Sequence, residues 1–142
     1  YEAQKHAPQQ PGSVVIGPGG RYRFGTTALV VVMDDNKRTS PEWIADSIAD
    51  AMKQLRVLDA TSLILPDFTD DLLRQPKWIS EEQRRDTCRP IAKAMVEGIV
   101  KSGADFDLIK IWAWHGNADI WAEELDALSK RVSFGMIAPA AA

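Results

Sequence analysis

The sequence predicts an α/β fold, three-layered α/β/α, with a largely parallel or mixed sheet. Short apolar or β-branched runs recur along the chain, and stretches with apolar residues at helical spacing stand between them. At 142 residues and 45% apolar composition, one hydrophobic core is attainable without staples. Ser13-Val14-Val15-Ile16 is β-branched and closes on Gly-Pro-Gly-Gly, the pattern of a strand ending in a turn. Ala28 to Met33 is continuously apolar and stops at Asp34-Asp35, as a strand covered on both faces does. Ser40-Pro41 is an N-cap followed by proline at the first helical position, and Ile44, Ile48, Met52 and Leu55 then form one stripe. Thr61 to Leu65 predicts a third strand, stopped by Pro66. Ser80 and Gln83 form a capping box for a helix with an inner stripe of Cys88, Ile91, Met95 and Ile99 and an end at Gly103. Pro90 predicts a kink or a break within that helix. Leu108 to Trp114 predicts a fourth strand with Trp112 and Trp114 on one face, packed under a helix. Asn117 is expected to cap a last helix bearing Ile120, Trp121, Leu125 and Leu128. Four strands are few for such a sheet, so further strands are expected from outside these residues or from a partner chain.

Residues 1–12 are polar and interrupted by Pro8, Pro11 and Gly12, which predicts an arm; residues 13–132 form the domain and 133–142 a tail. The chain starts at Tyr1 and not at Met, which is compatible with a processed, trimmed or partly represented product. A single cysteine, Cys88, on the apolar stripe of a helix reads as a buried thiol in a reducing compartment, with the cytoplasm as the expected location. No CxxC pair or His-rich tract offers a zinc site, and neither a metal nor a cofactor is expected. No apolar run approaches the roughly 20 residues of a membrane span. The net charge of −3 argues against a broad nucleic-acid face.

Ligands of open α/β sheets lie outside the carboxyl ends of the strands. In this chain those ends bear Asp34 and Asp35, then Asp67 followed by Thr69, Asp70 and Asp71, and finally His115, Gly116 and Asn117. Were the strands parallel, all three groups would share one rim. Each group also has a plain structural reading: aspartates at strand exits begin turns or cap helices, and His115 can serve a local hydrogen bond. The glycine-rich IGPGGRYRFG has Arg21 and Arg23 but no helix after it, so it reads as a hairpin-like turn and not as a phosphate loop. Trp78, beside a polar loop, is a candidate for a partner or stacking surface.

PGSVVIGPGG, then TTALVVVMDD, a helix, SLILPDF, and at the end LIKIWAWHGNADIWAEEL follow an order of elements that resembles the macro domain family over about residues 12–130. The resemblance implies a three-layer α/β/α fold and the binding of ADP-ribose, in some members with hydrolysis of its ester link. It places Asp67, Phe68 and Thr69 in the region of a phosphate loop, with His115 and Asn117 near the distal edge of the pocket. The family's first strands, which bear its adenine-recognising Asp and an Asn-rich loop, have no counterpart here, and PDFTDDLLRQP stands where a glycine-rich loop is usual.

The expected function is binding of ADP-ribose or a related nucleotide through Asp34, Asp67, Phe68, Thr69, His115 and Asn117, with little or no catalysis. The alternative is a degenerate module of the same fold that docks a protein partner or a second copy. A third reading, a metal-dependent hydrolase, uses Asp34, Asp67 and Asp71 with His115 as acid or base. The carboxylates after Pro66 would repel a diphosphate unless a cation intervenes.

Overall fold

A computed structural model describes residues 10–18, 25–36, 38–69, 80–113 and 115–131. The elements run β1 (Val14–Pro18), β2 (Thr26–Val30), α1 (Pro41–Val57), β3 (Ser62–Pro66), α2 (Glu81–Ser102), β4 (Leu108–Trp112), a 3₁₀ turn (His115–Asn117) and α3 (Ala118–Arg131). This is the expected α/β order. Residues 1–9 of the arm, with His6, the turn containing Arg21 and Arg23, Asp70, Asp71, Trp78, Trp114 and the tail lie outside the described residues.

β1 and β2 pair antiparallel, from Val14 opposite Val30 to Pro18 opposite Thr26. Beyond the strands the ladder continues through the N–H of Val31 to the Ser13 carbonyl, 2.9 Å, and the N–H of Gly12 to the Val31 carbonyl. Gly12 has φ +88°, a backbone state that suits a residue without Cβ. β2 begins two residues before the predicted apolar run because Thr26 and Thr27 find partners on β1. Its residues are half-buried, as in an antiparallel pair with one solvated side, and are not covered on both faces.

α1 starts as predicted. Ser40 is extended, its Oγ accepts from the Trp43 N–H at 3.2 Å, and Pro41 opens the helix. Ile44, Ile48, Met52 and Leu55 are buried. The helix packs on α2 and on both strands of the β1–β2 pair. It closes through Asp59 at φ +62°, with the Arg56 guanidinium donating to the Ala60 carbonyl at 2.9 Å.

α2 shows both halves of the predicted capping box, and Gly103 ends it in the left-handed region at φ +59°. Pro90 does not break it: the helix runs through 22 residues. Pro90 sits on the exposed side, where water can satisfy the carbonyl that proline leaves without its helical donor. On the other side Cys88, Ile91, Ala92, Met95 and Ile99 are buried and hold the helix to the core. Gly98 marks the closest approach of α1, since a Cβ there would lie 2.7 Å from the Ala45 carbonyl oxygen and 2.9 Å from Ile48 Cβ.

β3 and β4 pair in parallel, Ser62 opposite Leu108 through Pro66 opposite Trp112. The described strands thus form two separate pairs, one antiparallel and one parallel, where the sequence suggested one largely parallel or mixed sheet. Leu65 is buried in the core, and Leu63, Ile109 and Ile111 pack against it. The other face is open. Ile64 and Leu108 are exposed and Trp112 is 72% exposed, so Trp112 is not packed under a helix as its alternation with Ile111 suggested.

Candidate functional site

The carboxyl end of β3 meets the start of α3. The Asp67 N–H donates to the Trp112 carbonyl at 3.0 Å, which extends the β3–β4 ladder by one bond and fixes where the chain leaves the sheet. Asp67 Oδ1 then accepts from the Thr69 N–H at 2.9 Å, closing an Asx turn around Phe68. Its Oδ2 accepts from Asn117 Nδ2 at 3.0 Å, and the same Nδ2 donates to Thr69 Oγ1 at 2.9 Å. Asp67, Thr69 and Asn117 are all buried. Phe68, between the two pinned residues, is half-buried.

The network continues into α2. Asn117 Oδ1 accepts from Arg84 Nη1 at 3.1 Å, and this oxygen is thereby engaged with α2 where the sequence predicted a helix cap. Arg84 also donates to both carboxylate oxygens of Glu81, through Nη2 at 3.1 Å and Nε at 3.3 Å, while its Nη1 lies 4.0 Å from Cys88 Sγ. The hydrogen bond from Arg84 holds the Glu81 carboxyl below the usual carboxylate range. The next residue, Arg85, makes a bidentate ion pair with Asp119 and donates to the Gly116 carbonyl. Hydrogen bonding from Arg85 likewise lowers the Asp119 carboxyl, and hydrogen bonding to Asp119 raises Arg85.

The predicted site residues thus separate. Asp67, Phe68, Thr69 and Asn117 converge at one point. Asp34 forms its own turn, its Oδ1 accepting from the Asn36 and Arg38 N–H groups at 2.9 Å each, and no described bond joins it to Asp67. His115 opens the 3₁₀ turn, two residues before Asn117. Among the described residues no group of three His, Cys, Asp or Glu side chains is placed to hold a metal. A groove of about 390 Å³ between α1 and α2, lined by Pro41, Glu42, Ala45, Pro90 and Lys93 among others, contains none of the candidate site residues.

Arg84 and Glu81 are the residues that sequence reasoning missed. A signal was present: Arg84 and Arg85 lie within the first five residues of α2, where the helix dipole favours acids, so both needed local partners.

Solved structures carry this arrangement of elements at an overall TM-score of 0.65. A macrodomain of Oceanobacillus iheyensis with MES bound superposes at that score over 87% of this chain, with 16% sequence identity. The chain has a macrodomain fold. A mutant of the same macrodomain with ADPR superposes equally well at 17% identity over 86% of the chain, and the macrodomain with ADP at 16% over 87%. In each case the match spans 62% of the macrodomain's own length. No family model and no curated protein matches the sequence. No described helix of this macrodomain-like chain is long and apolar enough to cross a membrane.

Proposed function

We propose that this domain binds a nucleotide of the ADP-ribose type at the carboxyl ends of β3 and β4. The observation that carries the reading is the convergence of Asp67, Phe68, Thr69 and Asn117 at the exit of β3 within a fold whose solved neighbours include complexes with ADP and ADPR. Phe68, packed against the core on one side, offers the rest of its ring for contact with the ligand, and His115, two residues before Asn117, is a further candidate contact. A reducing, cytoplasmic setting accords with one buried cysteine. Isothermal titration with ADP-ribose tests the reading. Binding that weakens about tenfold or more in Phe68→Ala and His115→Ala supports it, at a cost comparable to one good contact. Because carboxylates follow Pro66, the titration is repeated with Mg²⁺, and binding that depends on the cation assigns it the diphosphate charge. The absence of heat under both conditions, with folded protein, removes the proposal.

A second reading, a module that docks a protein partner, is favoured by the open face of the β3–β4 pair. Parallel strands are ordinarily covered on both faces, yet Ile64, Leu108 and Trp112 are exposed. On that reading Trp112→Ser leaves ADP-ribose titrations unchanged and abolishes self-association or partner binding measured by light scattering.

A further inference from the structure

We infer that Asn117 is a positioning residue of the β3 exit, a neutral amide wedged between Arg84 and Asp67 that sets the direction of Phe68 without touching a ligand itself. The nucleotide reading above supplies only the ligand in this inference; the positioning follows from the hydrogen bonds.

Asn117 is 1% exposed, so its side chain has no surface to offer a ligand. A carboxamide has two N–H donors and one carbonyl oxygen. Both kinds of group are engaged here: Nδ2 donates to Asp67 Oδ2 and Thr69 Oγ1, and Oδ1 accepts from Arg84 Nη1. Only one orientation of the amide is compatible with these neighbours. Turned over, its oxygen would face the Asp67 carboxyl and its NH₂ would face the Arg84 guanidinium, replacing two attractive contacts by two repulsive ones. In the observed orientation the amide dipole points its positive end at the carboxyl and its negative end at the guanidinium, so each bond polarises the other.

Three elements meet on this one side chain. Asp67 and Thr69 belong to the exit of β3, Arg84 to the first turns of α2, and Asn117 itself to the turn before α3. Since Asp67 and Thr69 are both held by Asn117 and also bonded to each other, the backbone at the intervening Phe68 has little freedom, and its ring leaves that backbone packed against the core. Among the described residues, the other charged groups at this junction are Glu81, held by Arg84, and the Arg85–Asp119 pair.

Asn117→Asp tests this without changing shape. It replaces the donor 3.0 Å from Asp67 Oδ2 by a second carboxyl. Two carboxyls at that separation share a proton in acid and repel when both are ionised. The effect must therefore depend on pH, which a general loss of packing would not. Hydrogen exchange of the Thr69 amide in ligand-free protein is compared with wild type at pH 5 and pH 8, after correction for intrinsic rates, together with ADP-ribose affinity. We expect near wild-type protection at pH 5 and about tenfold faster exchange at pH 8, with affinity following the same profile, the size expected for losing a hydrogen bond to a charged group. Unchanged Thr69 protection at both pH values overturns the positioning role. Lost protection with unchanged affinity overturns the link between this exit and the ligand. If wild-type protein binds no ADP-ribose, the nucleotide reading fails while the exchange profile still decides the role of Asn117. Should the variant not fold, Thr69→Val removes one acceptor of the amide at constant shape; an affinity loss of about threefold or more supports the inference, and unchanged affinity overturns it.

Discussion

Helix α2 meets its two helical neighbours by different means. Toward α1 it presents small and apolar residues, and the backbones approach until Gly98 has no space for a Cβ. Toward α3 it presents arginines: Arg85 pairs with Asp119 and Arg89 with Glu123, two rungs with the same four-residue step on each helix. The centre of the first interface is specified by shape, with the Lys101–Asp46 ion pair at its exposed edge, so its energy comes mainly from burial and close contact. The second is specified by charge at the surface, where water and salt compete. One helix thus has a face that tolerates no change of volume and a face that tolerates considerable change of charge.

The largest effect is expected on the shape side. Met95 is fully buried, and Met95→Ala should cost about 2–5 kcal/mol of stability, read from urea denaturation. A loss below 1 kcal/mol would mean that the contact is looser than the geometry indicates. Gly98→Ala comes next. On an exposed helix this change stabilises by about 1 kcal/mol, yet at this position overpacking against the Ala45 carbonyl should make it net destabilising by about 1–3 kcal/mol. A rise in Tm would show that α1 can move away freely. On the charge side, a double-mutant cycle on Arg89 and Glu123, both well exposed, should yield a coupling of only about 0.2–1 kcal/mol that vanishes in 1 M salt. The smallest effect concerns acid. Arg85 holds the Asp119 carboxyl below its ordinary value, so this contribution is present at neutral pH and is lost as pH falls through the lowered value, below about 4. Asp119→Asn should therefore start from a lower Tm at pH 6 and decline less between pH 6 and pH 3 than the wild-type protein.

This contrast also explains what could be read in the sequence. Ser40-Pro41, the Ser80 and Gln83 box and Gly103 announce helix ends because caps act within a few residues of their own position, and all lie where the pattern put them. The stripes of α1 and α2 were legible for the same local reason. Gly98 was not, because a glycine inside a helix looks like a weakness until the carbonyl of Ala45 is brought against it. Trp112 misled because alternation assigns residues to two faces but does not say which face is covered. Asp67, Thr69 and Asn117 each stood out at a strand or helix boundary, but Asn117 lies 50 residues from Asp67, and only the parallel β3–β4 pairing brings the two together.

Pro90 divides α2 into two segments with different attachments. The C-terminal segment, from Ile91 to Ser102, is fastened by buried side chains and shares the stability of the core. The N-terminal segment, Glu81 to Arg89, is fastened by its capping box, by Cys88 and by ionic rungs, and one of the helical bonds that couple it to the rest is missing at the proline. Local opening should begin in that first segment, at a free energy below that of global unfolding. Arg84 belongs to it, so its bond to Asn117 is exposed to that opening. The β3 exit would then lose its order on warming while the apolar half of the domain still stands, and competence to bind would end at a lower temperature than the fold.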